Sequence, residues 1–184
     1  MKISLTNTGK RFNRDWIFRN LSFEFTGGNA YAITGPNGSG KSTLLQVIGG
    51  SMVVSEGKVN YDVPEEQFFR HMSITAPYLE LVEEMTAQEF LSFHAQFKPL
   101  IASIENILEK VSLEKSAHKQ IRYYSSGMKQ RLKLAQAIFS NVPCVLLDEP
   151  CTNLDEEGIA LYQQLISDYC SNRMVIVSSN DTME

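Results

Sequence analysis

A single α/β domain built around a mostly parallel sheet is what this 184-residue sequence predicts. Three observations predict it. The apolar runs Ala30 to Thr34, Val142 to Leu147 and Met174 to Ser178 have the length and continuity of buried parallel strands. A glycine-rich turn joins the first run directly to a helical stretch. Between the early and late strands, from about Tyr78 to Ser140, the pattern turns helical, as an inserted subdomain would.

The elements follow in order. Ile3 and Leu5 alternate with polar residues, as do Leu21, Phe23 and Phe25, which reads as strands. Gly27-Gly28-Asn29 punctuates before Ala30 to Thr34, and a helix is expected from Lys41 to about Gly49. Thr86-Ala87-Gln88-Glu89 has the capping-box pattern, followed by Phe90, Phe93, His94 and Phe97 at helical spacing, with Pro99 as the stop. Ile101, Ile104, Leu108 and Val111 suggest another helix, and Ser126 to Ser140 a third. Asp155 is placed to cap a helix whose face carries Ile159, Tyr162, Leu165, Ile166 and Tyr169.

Composition narrows the function. With 17 basic and 21 acidic residues the net charge is −4, so a nucleic-acid partner is not expected. Cys144, Cys151 and Cys170 are odd in number and lack a CxxC spacing, which argues against a disulfide framework or a zinc cage. No apolar run approaches the ~18 residues of a membrane span, and Met1 to Asn7 lacks the apolar stretch of a signal peptide. His71, His94 and His118 are scattered. The basic cluster Lys129, Arg131 and Lys133 reads as a solvated helix face, and Glu65-Glu66 and Glu83-Glu84 as exposed loops.

Gly35-Pro36-Asn37-Gly38-Ser39-Gly40-Lys41-Ser42 satisfies GxxxxGK[ST], and Thr43 continues it into the helix. Glycines let backbone N–H groups turn toward phosphate oxygens, and the helix presents its positive end to the same anion. Lys41 can reach the β- and γ-phosphates, and the Ser42 hydroxyl can ligate Mg²⁺. This is the phosphate loop of a P-loop NTPase. A second motif, Cys144 to Pro150, ends an apolar strand in Asp148-Glu149. At the carboxyl edge of a parallel sheet Asp148 would hold Mg²⁺ through water. Glu149 would orient or deprotonate the attacking water.

Three further segments, Tyr124 to Arg131, Asn153-Leu154-Asp155 and Ser178 to Asp181, follow in an order and spacing that resemble the nucleotide-binding domain of ABC-type ATPases, above all transporter subunits. The resemblance runs from about Lys2 to Asp181. It implies an ABC ATPase fold with an N-terminal antiparallel β part and a helical subdomain at about 78–140. It implies ATP and Mg²⁺ as ligands and ATP hydrolysis that powers transport. It also implies a head-to-tail dimer, with itself or a related chain, in which Ser125 and Gly127 serve the partner's nucleotide and Asp155 lies near the subunit boundary. Phe12, or in its place Trp16, is positioned to stack on adenine. The membrane partner is a separate integral subunit, docked in a groove lined by residues such as Leu79, Leu81 and Val82, and the chain would sit at the inner face of the cytoplasmic membrane. A soluble ABC-type ATPase and a degenerate regulatory subunit are the alternatives.

The sequence departs from the family pattern at two γ-phosphate contacts. Tyr78 stands where a Gln is usual, and Asn180 where a His is usual. A phenol lacks an amide's donor and acceptor pair, and Asn carries no proton near neutral pH. With Glu149, Lys41 and Ser42 intact, slow hydrolysis is expected. The chain ends four residues after Asn180, where family members continue; a minimal or a shortened subunit is implied.

Overall fold

The computed structural model describes residues 1–180 apart from the side chains of Glu65 and Glu66. Asp181, and the exposure expected of the Glu65-Glu66 pair, therefore lie outside the described residues. In chain order the main elements are β1 (Lys2–Phe12), β2 (Asp15–Thr26), β3 (Ala30–Thr34), α1 (Lys41–Ile48), β4 (Glu56–Tyr61), β5 (Met72–Thr75), α2 (Ala87–Ala95), α3 (Ile104–Lys110), α4 (Ser126–Ile138), β6 (Cys144–Asp148), α5 (Glu156–Cys170) and β7 (Met174–Ser179).

Two sheets organise them. An antiparallel sheet has the order β2-β1-β4, and a parallel sheet the order β3-β7-β6-β5. The parallel strands read as continuous apolar runs because successive residues serve two different cores. In β6, Cys144 and Leu146 face one core, with Leu45 and Ile48 of α1 and with Ile3, Leu5 and Phe25 of the antiparallel sheet. Val145 and Leu147 face the other, with Leu132 and Ile138 of α4, Leu91 of α2, Ile107 of α3 and Leu165 of α5. The helical insertion thus has no separate core; it packs directly on the sheet. β3 is the exception among the parallel strands. It lies at the edge, and Ala30, Ala32 and Thr34 on one of its faces are exposed.

Local chemistry sets the helix ends. Thr86 accepts from the Glu89 backbone N–H while Glu89 reaches back to the Thr86 N–H, so the capping box forms and α2 starts there. That helix ends at Ala95, a turn earlier than Pro99 suggested. Ile101 lies outside α3, which begins after its Ser103 cap. Asp155 caps α5 by accepting from Gly158 N–H at 2.8 Å, which holds its carboxyl below the usual carboxylate range. β4 and β5 escaped the sequence reading. So did the length of β1, whose pairing with β2 is broken by register shifts near Thr8 and Lys10. His71 belongs to a 3₁₀ helix (Glu65–His71).

Candidate functional site

β3 ends at the phosphate loop, and the loop ends at α1. Gly40, the residue before the helix, has φ +95°, and a Cβ there would lie 2.3 Å from Ile17 Cγ2 of β2. Only glycine gives both the left-handed turn and room for that strand. Lys41 then folds back. Although 7% exposed, its ammonium is saturated: it donates to Gly35 O at 2.9 Å, to Pro36 O at 3.3 Å and to Asn180 Oδ1. Ser39 N–H closes the loop on Pro36 O at 3.1 Å.

The parallel register brings the acidic motif to the same edge. β6 lies between β7 and β5, so Asp148 stands opposite Ser178. Asp148 is buried; its Oδ1 accepts from the Ser178 hydroxyl and its Oδ2 has no partner. An orphaned carboxylate oxygen in the interior costs free energy unless a cation or water meets it. Together with the Ser42 hydroxyl at the start of α1, this fits a magnesium ion. Glu149 adopts φ +47°, pinned by its N–H on Ser178 O at 2.8 Å. Its Oε1 lies 3.6 Å from Lys41 Nζ, and its Oε2 accepts from Asn180 N–H at 3.4 Å.

A cleft of about 360 Å³ gathers Asn37, Gly38, Lys41, Ser42, Glu149 and Asn180, with Gly40 and Thr43 beside them. Gly35 and Pro36 contribute as acceptors for Lys41. Ile17 and Thr152 also line the cleft and were not expected there. Ile17 is legible only as an alternating residue of β2, because its place over Gly40 is a matter of sheet packing. Ser125, Gly127 and Asp155 share a second cleft of about 310 Å³ with Asn153 and Arg131, and no residue lines both.

The other expected residues lie as follows. Neither Phe12 nor Trp16 lines the cleft of Lys41 and Glu149. Phe12 is half-exposed with Lys10 Nζ 5.2 Å above its ring. Trp16 is held by the Arg11 and Arg19 guanidiniums at 5.5 and 4.4 Å. Tyr78 sits close to Asp148: burial pushes its phenol up, and the Asp148 charge pushes it further, against a lowering hydrogen bond with the Gln46 side chain. The basic face of α4 is not merely solvated. Lys129 pairs with Glu83 at 2.5 Å, Arg131 with Asp155 at 3.4 Å, and Lys133 donates to the carbonyls of Ala76 and Pro77 at 3.3 Å each. Of the residues expected to line a docking groove, Leu81 is buried in the helical core, while Leu79 and Val82 stay partly exposed. The cleft beside them, about 410 Å³, is charged, with Glu80, Glu83, Lys129 and Lys133.

Against known proteins, the ABC transporter family matches residues 18–152, a span that contains both nucleotide motifs and the segment from Ser125 to Arg131. The chain belongs to the ABC transporter ATP-binding family. It is 33% identical over 172 residues to the uncharacterized ABC transporter ATP-binding protein YybJ of Bacillus subtilis, covering 89% of this chain and 78% of that one. It is 30% identical over 188 residues to the cytochrome c biogenesis ATP-binding export protein CcmA of Rhizobium etli, covering 97% and 87%. Among solved structures, an ATP-binding subunit of an ABC transporter superposes with TM-score 0.85 at 21% identity, covering 98% and 80%. A dimeric ATP-binding cassette bound to ADP and phosphate superposes with TM-score 0.83 at 24% identity, covering 97% and 88%. These structures establish the ABC ATPase fold. The family binds ATP, usually with Mg²⁺, and hydrolyses it, so this chain is the ATP-binding subunit of an ABC transporter. Among the described residues no helix is long and apolar enough to cross a membrane.

Proposed function

We propose that this subunit hydrolyses ATP in the cleft above α1 and drives a separate integral membrane subunit. The observation that carries the reading is the meeting of Glu149 and Lys41 at 3.6 Å in the cleft built by the phosphate loop. Free backbone N–H groups of the loop wrap the phosphates (Pro36 offers none), and Lys41 exchanges its loop carbonyls for β- and γ-phosphate oxygens. Ser42, and Asp148 through water, would hold Mg²⁺, which would neutralise phosphate charge when bound. Glu149 orients the attacking water and accepts its proton. Tyr78 and Asn180 stand where an amide with separate donor and acceptor atoms and an imidazole that can carry a proton are usual, and on that ground we expect slow turnover.

Ser125, Gly127 and Asp155 lie in a cleft of their own. That separation supports a head-to-tail dimer, homomeric or heteromeric, in which the start of α4 serves the nucleotide of the other subunit. We place the chain at the inner face of the cytoplasmic membrane, peripheral to its integral partner, and read residues 1–184 as one ABC-type unit with a helical subdomain at about 78–140. Tyr78 and Asn180 also favour a second reading, a regulatory subunit that binds ATP with little turnover.

Glu149→Gln tests the first reading. ATP binding is expected to persist, turnover to fall by about 10²-fold or more, and the ATP-bound dimer to live longer in light scattering. A wild type that binds ATP without measurable turnover selects the regulatory reading.

A further inference from the structure

Gln130 of α4 is among the few buried polar side chains, at 5% exposed. Its Nε2 donates to Pro150 O at 2.7 Å, the carbonyl of the residue that follows Glu149. Proline has no N–H, so this carbonyl is the one backbone hydrogen-bonding group Pro150 offers. Gly127, three residues before Gln130 on the same helical face, packs close to the same segment, and the next residue, Arg131, pairs with it. A Cβ on Gly127 would lie 3.2 Å from Asn153 O, and Arg131 Nη2 lies 3.4 Å from Asp155 Oδ1. From the opposite side the strand edge holds Glu149 by its N–H on Ser178 O.

Two non-glycine residues in this segment, Glu149 at φ +47° and Asn153 at φ +65°, sit in the left-handed region. Such a backbone persists only where the surroundings hold it. We infer that Gln130 is a positioning residue for the hydrolytic carboxylate: its amide clamps the Pro150 carbonyl from α4 and so keeps the left-handed Glu149 peptide, and the side chain it carries, aimed at Lys41. The inference rests on reading Glu149 as the group that handles the attacking water. It extends that reading by assigning the aim of Glu149 to a buried side chain of α4 that does not line the cleft of Lys41 and Glu149. If Gln130 only fills space, a side chain of equal length without a donor will serve as well.

The test uses the full chain with ATP and Mg²⁺. Gln130→Met keeps length and loses the donor; kcat is expected to fall about tenfold, the worth of one neutral hydrogen bond, with the KM for ATP within about twofold of wild type. Gln130→Glu supplies a second handle, because a protonated carboxyl can donate to Pro150 O and a carboxylate cannot. Relative to wild type its kcat is expected to climb as the pH is lowered. A third readout needs no turnover. Cys151 is partly exposed in the clamped segment while Cys144 and Cys170 are buried, so a thiol reagent should label Cys151 faster in Gln130→Met. Wild-type kcat together with wild-type labelling in that variant overturns the inference, as does a loss confined to KM. If the wild type itself shows no turnover, the reading of Glu149 fails. The labelling comparison then decides the clamp alone: faster labelling supports it, and an unchanged rate sinks it.

Discussion

Removing the Ser178 hydroxyl isolates the strain built into the metal corner. Ser178 and Asp148 are both buried on neighbouring strands, and among the described residues the hydroxyl is the one hydrogen-bond donor to the carboxylate, whose other oxygen is unpartnered. Ser178→Ala leaves both oxygens of a buried acid unmet. A hydrogen bond to a charged group contributes about 1.5–3 kcal/mol, so a loss of about 2 kcal/mol is expected. For a chain of this size that lowers Tm by about 4–8 °C. Thermal unfolding without nucleotide reads the loss directly. Mg²⁺ with a non-hydrolysable ATP analogue should raise Tm in both proteins, since a ligand that binds only the folded state stabilises it by mass action. In an Asp148→Asn background the charge is gone, and Ser178→Ala should then cost less than about 1 kcal/mol. If Ser178→Ala melts within about 1 °C of the wild type, or costs the same in both backgrounds, Ser178 does not hold the carboxylate and the account of the metal corner is wrong.

Other expectations concern turnover and pH. Asn180→His should raise steady-state turnover, since an imidazole can carry a proton where Asn180 now accepts from Lys41; an unchanged rate removes Asn180 from the proposal of slow turnover. His94 is held between Ser140 Oγ at 2.8 Å and the Gln136 amide at 3.2 Å, and burial, with a smaller push from Lys98, lowers it to about 4 from its ordinary 6.5. In that window the unfolded chain binds a proton the folded one refuses. Stability from this group is complete above pH 6.5 and drains as the pH falls toward 4. Urea midpoints measured across that range should fall less steeply for His94→Gln than for wild type.

The phosphate loop and the acidic motif were legible because their chemistry is local. A nucleophilic or phosphate-binding role demands particular residue types at fixed spacing on a strand, turn and helix, and Gly35 to Thr43 and Asp148-Glu149 meet that demand within a few residues of chain. The capping box at Thr86 and the cap at Asp155 were legible for the same reason. The adenine neighbour was not. Phe12 and Trp16 are aromatic and upstream, but which residue lines the cleft beside Gly40 depends on the register between β1 and β2 and the bulges that shift it, and there it is Ile17. The basic residues of α4 misled because their charge is visible in sequence while their partners, Glu83, Asp155 and the carbonyls of Ala76 and Pro77, lie far away along the chain.

Taken alone, the order of residues determined the fold class, the nucleotide-binding loop, the paired carboxylates and the identities at Tyr78 and Asn180, since each is a property of neighbouring positions. Folding decided everything that joins distant positions: that Lys41 meets Glu149 and Asn180, that Ser178 holds Asp148, that Gln130 reaches Pro150. Those contacts bridge separations of 20 to 139 residues, and they exist because a parallel sheet brings strand ends from different parts of the chain to one edge, where α4 packs across them.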